Sequence, residues 1–308
     1  MKIKYYLAFD RRVSYGSPEH FFHFMWGYLL PLLHTIKTLT KPEVSHYLLV
    51  SCGPIMDSLS IEIMHLFDYN FSIVSDASNR KGQNQLIIPR WDIALLHSQL
   101  LNNNVDSNEY TIRMRENLIK HASIYNTLKH HNFESKLALV INETRLDILQ
   151  KTNAIDTHKD LGTYANCYLL LARSSEPAFY AEQGKAEILG YGTSRRALLG
   201  IKDTEQKLKQ KKLPIRSFEP GKYSLTEQIR VFQDCKGVIG IKGAEFANLM
   251  WMKPHSQVIL IKPTCMNTPP VQRKLANILK LNYIEIEDSQ GRYPTLKPEM
   301  IDVFLDYS

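Results

Sequence analysis

The sequence predicts an α/β chain. Short β-rich runs alternate with helical stretches of 10–15 residues, and the alternation starts afresh in the second half. Such a rhythm points to parallel sheets with crossover helices. At 308 residues the chain suits two domains of about 150 residues each, or one large α/β unit. Hydrophobic residues make up 44% and charged residues 22%. These are ordinary globular values, and they exclude a disordered chain, a collagen-like one and a disulfide scaffold.

Residues 2–9 alternate loosely and read as an opening strand. The loop Ser14-Tyr15-Gly16-Ser17-Pro18 follows, then an aromatic-rich helix from Glu19 to about Lys37. Pro31 is expected to kink that helix or end its first part. A second strand over 46–51 is stopped by Gly53-Pro54, and 57–68 reads as a helix. Short strands are predicted at 71–74 and 85–88. Residues 102–108 are polar and turn-rich, so they read as a loop. A long helix over 110–129 and a strand over 137–141 complete the first half. Residues 142–165 are polar and irregular enough to hold a boundary, which gives domains of 1–150 and 151–308.

The second half opens with a buried strand over 166–172 and a lysine-rich helix over 203–212. A strand at 215–218 precedes a helix over 224–235, with Ser224 as N-cap and Glu227 three residues on, a capping box. The strand 237–241 runs straight into Lys242-Gly243-Ala244, and a helix is expected from there to about 252. Strands at 257–261 and 283–286 flank a helix over 271–280.

Thirty-eight Lys and Arg against 31 Asp and Glu leave a net charge of +7. The excess is too small to require a nucleic-acid partner, and none is expected. It suits anionic ligands such as phosphates, or an acidic membrane surface. The four cysteines, Cys52, Cys167, Cys235 and Cys265, form no CxxC pair and sit in or beside apolar stretches. They read as reduced, buried thiols, and no Cys/His cluster has zinc-ligand spacing. The first apolar run is broken by Asp10-Arg11-Arg12, unlike a signal peptide. The longest apolar stretch, 21–33, is interrupted by His23 and Pro31 and is shorter than the roughly 20 residues of a membrane span. A soluble, cytoplasmic protein is expected.

The segment most informative about chemistry is 238–248. It reads as a buried strand, a small-residue turn and a helix start. Gly243 and Ala244 let a ligand approach the backbone, the helix start offers N–H groups to an anion, and Lys242 adds a positive charge. The alternative is a β–α turn whose small residues merely permit close packing. The run Lys207-Leu208-Lys209-Gln210-Lys211-Lys212 is a solvated helix face or a contact for anionic lipid. Asp92, in Pro89-Arg90-Trp91-Asp92, is a spare carboxylate. No clear Asp-x-Asp ends a strand, so a mechanism without a metal is favoured and no cofactor is expected.

The run from Tyr223-Ser224-Leu225-Thr226-Glu227-Gln228-Ile229 through Lys242-Gly243-Ala244-Glu245-Phe246-Ala247-Asn248 to Val258-Ile259-Leu260-Ile261-Lys262-Pro263 resembles glycosyltransferase family 61. The family pattern is a Glu-Gln-Ile-like helix, an apolar strand and a His-Gly-Ala-x-x-x-Asn turn. An aromatic follows, here Trp251, and then a strand ending in Pro, here Pro263. Lys242 stands where the family usually has His. Upstream, residues 17–32 look like the family's first-domain helix, with His23 followed eight residues later by Pro31. Many members carry Asn at the position of His20 and Asp at that of Gly27. A third, imperfect match places Arg173 at a strand end and Arg195 and Arg196 ahead of a helix.

The resemblance implies two Rossmann-like β/α/β domains facing a cleft, the arrangement called GT-B. It implies an inverting glycosyltransferase that moves a sugar from a nucleotide-sugar donor, UDP-linked, to a saccharide or glycolipid hydroxyl. Donor-binding residues would be Arg173, Arg195, Arg196, Lys242, Gly243, Ala244, Glu245 and Asn248. The general base would be His23, or else Glu19, Asp10 or Asp92. For His23 the alternative is a packed histidine, for Asn248 helix packing, and for Arg195 and Arg196 a solvated basic loop. The setting expected is bacterial surface-polysaccharide synthesis at the inner face of the membrane, with peripheral contact to anionic lipid. A non-catalytic nucleotide- or polyanion-binding scaffold of the same fold is the alternative function.

Overall fold

The computed structural model describes residues 3–9, 17–75, 84–93, 95, 133–153, 161–176, 178, 182, 193, 197–264, 271–288, 291 and 293–305. It is an α/β structure of two compact units, Met1–Ala154 and Ile155–Ser308. Each is built on one parallel sheet, a layout compatible with Rossmann-like domains. Asp10, Arg195, Arg196, Cys265, the loop at 102–108 and the helix at 110–129 lie outside the described residues.

In the first unit, β1 (Ile3–Phe9), β2 (Ser45–Val50), β3 (Phe71–Val74) and β4 (Asn84–Ile88) form a sheet in the order β3-β2-β1-β4. All its pairs are parallel, with Leu7 opposite both Leu49 and Leu86. Between β1 and β2 run α1 (Phe21–Phe24), a π turn (Met25–Leu29) and α2 (Leu30–Leu39). Every residue of the π turn is buried, as expected of a helix that is apolar all round. Pro31 does not end the first part of the helix. The chain stays helical, but widens to a π turn just before the proline, which lacks an N–H and crowds the carbonyl four residues back.

Helix α3 (Pro54–Leu66) joins β2 to β3. Helix α4 (Phe133–Asn153) overturns two expectations, a strand at 137–141 and an irregular stretch from 142. Leu137, Ile141, Ile148 and Thr152 are buried on it, a spacing of three to four residues per turn, and the helix packs on α2. A short apolar run does not distinguish a strand from one face of a helix.

In the second unit, β5 (Tyr168–Leu171), β6 (Ile215–Phe218), β7 (Gly237–Ile241), β8 (Gln257–Pro263) and β9 (Asn282–Asp288) form a parallel sheet. Its order is β6-β5-β7-β8-β9. The crossovers include α5 (Ile201–Gln210), α6 (Leu225–Asp234) and α7 (Val271–Ile278), and α8 (Pro298–Ile301) lies near the end. Strands β5 and β7 are buried throughout, the signature of a sheet covered on both faces. Leu170, Ile239, Ile241, Ile259 and Ile261 share one core cluster. The capping box forms as read: Ser224 Oγ accepts from the Glu227 N–H at 3.2 Å, and Glu227 Oε2 accepts from the Ser224 N–H at 2.8 Å.

After β7 the structure departs from expectation. Ala244–Trp251 is a 3-10 helix, not an α-helix. Residues 246–251 are all buried, so the segment turns none of these side chains outward. Among the described residues no helix is long and apolar enough to cross a membrane.

Candidate active site

The strand order reverses once in each sheet, between β1 and β4 in the first and between β5 and β7 in the second. In open parallel sheets such reversals leave a crevice at the carboxyl ends of the strands, where ligands bind. Each unit places charged residues there.

In the first unit, β4 ends at Ile88, opposite Phe9 of β1, and the chain continues through Pro89 into Arg90, Trp91 and Asp92. Asp92 is fully buried. Arg90 donates to it from Nε at 2.8 Å and from Nη2 at 2.6 Å, a forked ion pair. His23 of α1 lies with Nδ1 2.6 Å from Asp92 Oδ2. Burial pushes the Asp92 carboxyl upward, but the hydrogen bonds and charge of Arg90, together with His23, outweigh it and hold the pKa below the usual value. An ionised carboxylate only accepts, so Nδ1 of His23 bears the proton facing it. In the neutral ring, Nε2 then carries the lone pair. The His23 side chain is 12% exposed.

Gly27, one turn beyond His23, makes this arrangement possible. A Cβ there would stand 2.5 Å from Asp92 Oδ1 and 2.8 Å from Arg90 Nε. The Asp92 carboxylate, reaching in from the β4 side, occupies the space that a side chain at position 27 would need. Glu19 stands at the helix entry with its N–H bonded to Ser17 Oγ at 3.2 Å. It takes part in none of the three hydrogen bonds of the His23–Asp92–Arg90 group.

In the second unit, Arg173 follows β5 by two residues and Lys242 follows β7 directly. The Lys242 N–H donates to the Ile261 carbonyl at 3.0 Å, which pins the end of β7 to β8. Arg173 Nε pairs with Glu245 Oε1 at 2.9 Å. Gly243 has extended backbone, open to any residue, so its requirement is spatial: a Cβ would run into Glu245 Oε2. Ala244 opens the 3-10 helix, and its first N–H groups have no partner within the helix. Lys242, Gly243, Ala244, Glu245 and Arg173 therefore meet at one turn.

Asn248 is placed differently. Its side chain is fully buried, donating from Nδ2 to Gln228 Oε1 at 2.8 Å and accepting at Oδ1 from Trp251 Nε1 at 3.1 Å. Gln228 in turn donates to the Tyr223 carbonyl at 3.0 Å. The amide network ties the turn to α6.

Two residues escaped the sequence reading. Arg90 has its sequence signal only in lying two residues before Asp92. Gln272 of α7 donates from Nε2 to the Gly243 carbonyl at 3.2 Å, and its only signal is a polar residue in a helix's first turn. Among the described residues, no three His, Cys, Asp or Glu side chains stand together in a group that could hold a metal ion.

The family model of Glycosyltransferase 61 matches residues 21–259. The chain belongs to glycosyltransferase family 61. No curated protein matches it. The matched span of the family 61 chain takes in His23, Arg90, Asp92, Arg173 and the whole Lys242 turn, while Gln272 lies beyond it.

Proposed function

We propose that this protein is an inverting glycosyltransferase that transfers a sugar from a nucleoside-diphosphate donor, UDP-linked, to a hydroxyl of a saccharide or glycolipid. The observation that carries this reading is the His23–Asp92–Arg90 arrangement at the carboxyl end of β4, in a member of a glycosyltransferase family. His23 Nε2 takes the proton of the acceptor hydroxyl as its oxygen attacks C1 of the sugar. The bond from C1 to the diphosphate oxygen breaks, and that oxygen keeps the electron pair. Asp92 fixes the tautomer and steadies the imidazolium that forms, without changing its own protonation. Arg90 keeps Asp92 ionised. General-base assistance of this kind contributes typically 10²–10⁴-fold.

Lys242, Arg173 and the N–H groups after Gly243 stabilise the leaving diphosphate, the electrostatic part of catalysis. Arg195 and Arg196 are candidates for the same anion. Glu245 accepts from ribose hydroxyls, and Asn248 holds the turn. The positive charge these residues supply, and the absence of an Asp-x-Asp motif, favour a mechanism without a metal. The GT-B arrangement, with the acceptor on the N-terminal domain and the donor on the C-terminal one, rests on the family resemblance. A role in bacterial surface-polysaccharide synthesis at the cytoplasmic face of the membrane belongs to the same proposal.

A second reading, a nucleotide-binding scaffold without transfer activity, draws on two departures from the family pattern, Lys242 for His and Gly27 for Asp. A thermal-shift panel of nucleotides and nucleotide sugars, with and without EDTA, tests the binding half of the proposal. A ligand at 100 times its Kd stabilises the fold by about 2.7 kcal/mol. The proposal expects one nucleoside-diphosphate series to stabilise the protein, indifferent to EDTA, and Lys242→Ala to lose the effect. No response to any nucleotide would overturn the proposal. Binding without sugar transfer to any acceptor would favour the scaffold.

A further inference from the structure

The turn after β7 carries a feature that neither the family match nor the roles assigned above absorb. Gln272, on α7, is 4% exposed, and its amide is oriented by one contact, Nε2 donating to the Gly243 carbonyl at 3.2 Å. A flipped amide would set oxygen against oxygen, so the contact fixes which end faces the turn. The other end, Oε1, is buried and accepts no hydrogen bond among the described residues. Beside the same glycine, Glu245 Oε2 is also buried with no hydrogen-bond donor among the described residues, although Oε1 pairs with Arg173.

Buried acceptors without donors are uncommon and costly in native proteins. Here two of them flank one glycine at the switch point of the sheet. Neither a carboxylate nor an amide oxygen suits a phosphate oxygen, since both sides only accept. The two atoms therefore suit the hydroxyls and ring N–H groups of a nucleoside, while Arg173 and Lys242 suit its diphosphate.

We propose that Gln272 reads the nucleoside of the donor: Nε2 holds the Gly243 carbonyl, and Oε1 accepts a hydrogen bond from a ribose O–H or a base N–H. The inference rests on the donor site proposed above and adds a residue outside the span that defines the family. An acceptor of fixed orientation favours a base presenting an N–H, such as uracil or guanine, wherever it meets the base edge. It favours ribonucleotides over deoxynucleotides wherever it meets the sugar.

The test is calorimetric. Kd is measured for UDP and GDP, for their 2′-deoxy and 3′-deoxy forms and for N3-methyl-UDP and N1-methyl-GDP, on the full chain and on Gln272→Met. The expected result is one analogue that binds the unmodified chain about tenfold more weakly than its parent, with the gap closed in Gln272→Met. A gap at a deoxy analogue assigns the ribose, and a gap at N3-methyl-UDP or N1-methyl-GDP assigns the base. A gap that persists in Gln272→Met, or no gap for any analogue, would overturn the inference. Should Gln272→Met not fold, Gln272→Asn, whose shorter amide withdraws from the turn, carries the same comparison. Failure of the unmodified chain to bind either nucleotide would instead overturn the donor site itself.

Discussion

His23 Nδ1 lies 2.6 Å from Asp92 Oδ2, although 69 residues separate the two in the chain. The contact follows from topology. β1 and β4 pair in parallel, so the helix that follows β1 and the loop that follows β4 both begin at the same edge of the sheet. It orients the imidazole through Nδ1, so that in the neutral ring the lone pair lies on Nε2. Asp92→Asn keeps the shape and removes the charge. Turnover at saturating donor is expected to fall about 10²–10⁴-fold, while donor Kd stays unchanged. An equal loss in both would assign Asp92 a different part.

Arg90 is 7% exposed and Asp92 fully buried. Removing one partner of such a pair leaves an uncompensated buried charge, at a cost of about 3–5 kcal/mol. Arg90→Met is expected to lower the urea unfolding free energy by that order.

Gly27→Ala reverses an ordinary expectation. In a helix interior, alanine is usually better than glycine by about 1 kcal/mol. Here the new Cβ would meet Asp92 Oδ1 at 2.5 Å, and overpacking costs about 1–3 kcal/mol. The expected outcome is a lower Tm together with lower turnover, because the shift falls on the carboxylate that orients His23. A Tm at or above the parent value would contradict the packing described.

The pH dependence of stability has two windows. Burial lowers the pKa of His34 from 6.5, so on acidification the unfolded chain takes up its proton first. Stability therefore falls as pH drops below about 6.5, and His34→Gln is expected to flatten that part. The depressed Asp92 pKa keeps its contribution in full above 3.8 and loses it progressively as pH falls from there through the folded value. Urea midpoints measured from pH 8 down to pH 3 check both signs.

Two thiols report on opening of the fold. Burial, with Asp57 and Glu19 nearby, raises the Cys52 pKa well above the usual value, and burial pushes Cys235 up to about 12. Neither is expected to react with a disulfide reagent at pH 8 in the folded protein, and both are expected to react after unfolding in urea. Mass mapping of the labelled residues checks this.

Much of the fold can be read from local pattern. β7 is a run of apolar residues ending at a small-residue turn, and Ser224 and Glu227 mark a helix start by spacing alone. The 137–141 run misled because five apolar-rich residues fit a strand as well as one face of α4. Pro31 signals a local disturbance but not its form, since a proline inside a helix can kink it, end it or be met by a wider turn. In the candidate site, Lys242 and Gly243 are legible because charge and smallness sit together in sequence. Arg90 and Gln272 are not: Arg90 pairs with Asp92 in a short loop segment that carries no periodic pattern, and Gln272 bonds Gly243 from 29 residues away. The 3-10 form of the helix after Gly243 is equally hidden, since apolar residues at this density fit either coil.

The central claim is that His23 is the base of a sugar transfer. Its most direct test is the release of nucleoside diphosphate from the nucleotide sugar that the binding panel selects, compared between the unmodified chain and His23→Ala at saturating donor. The account predicts a loss of about 10²–10⁴-fold with donor affinity unchanged. Equal rates in the two proteins would contradict it.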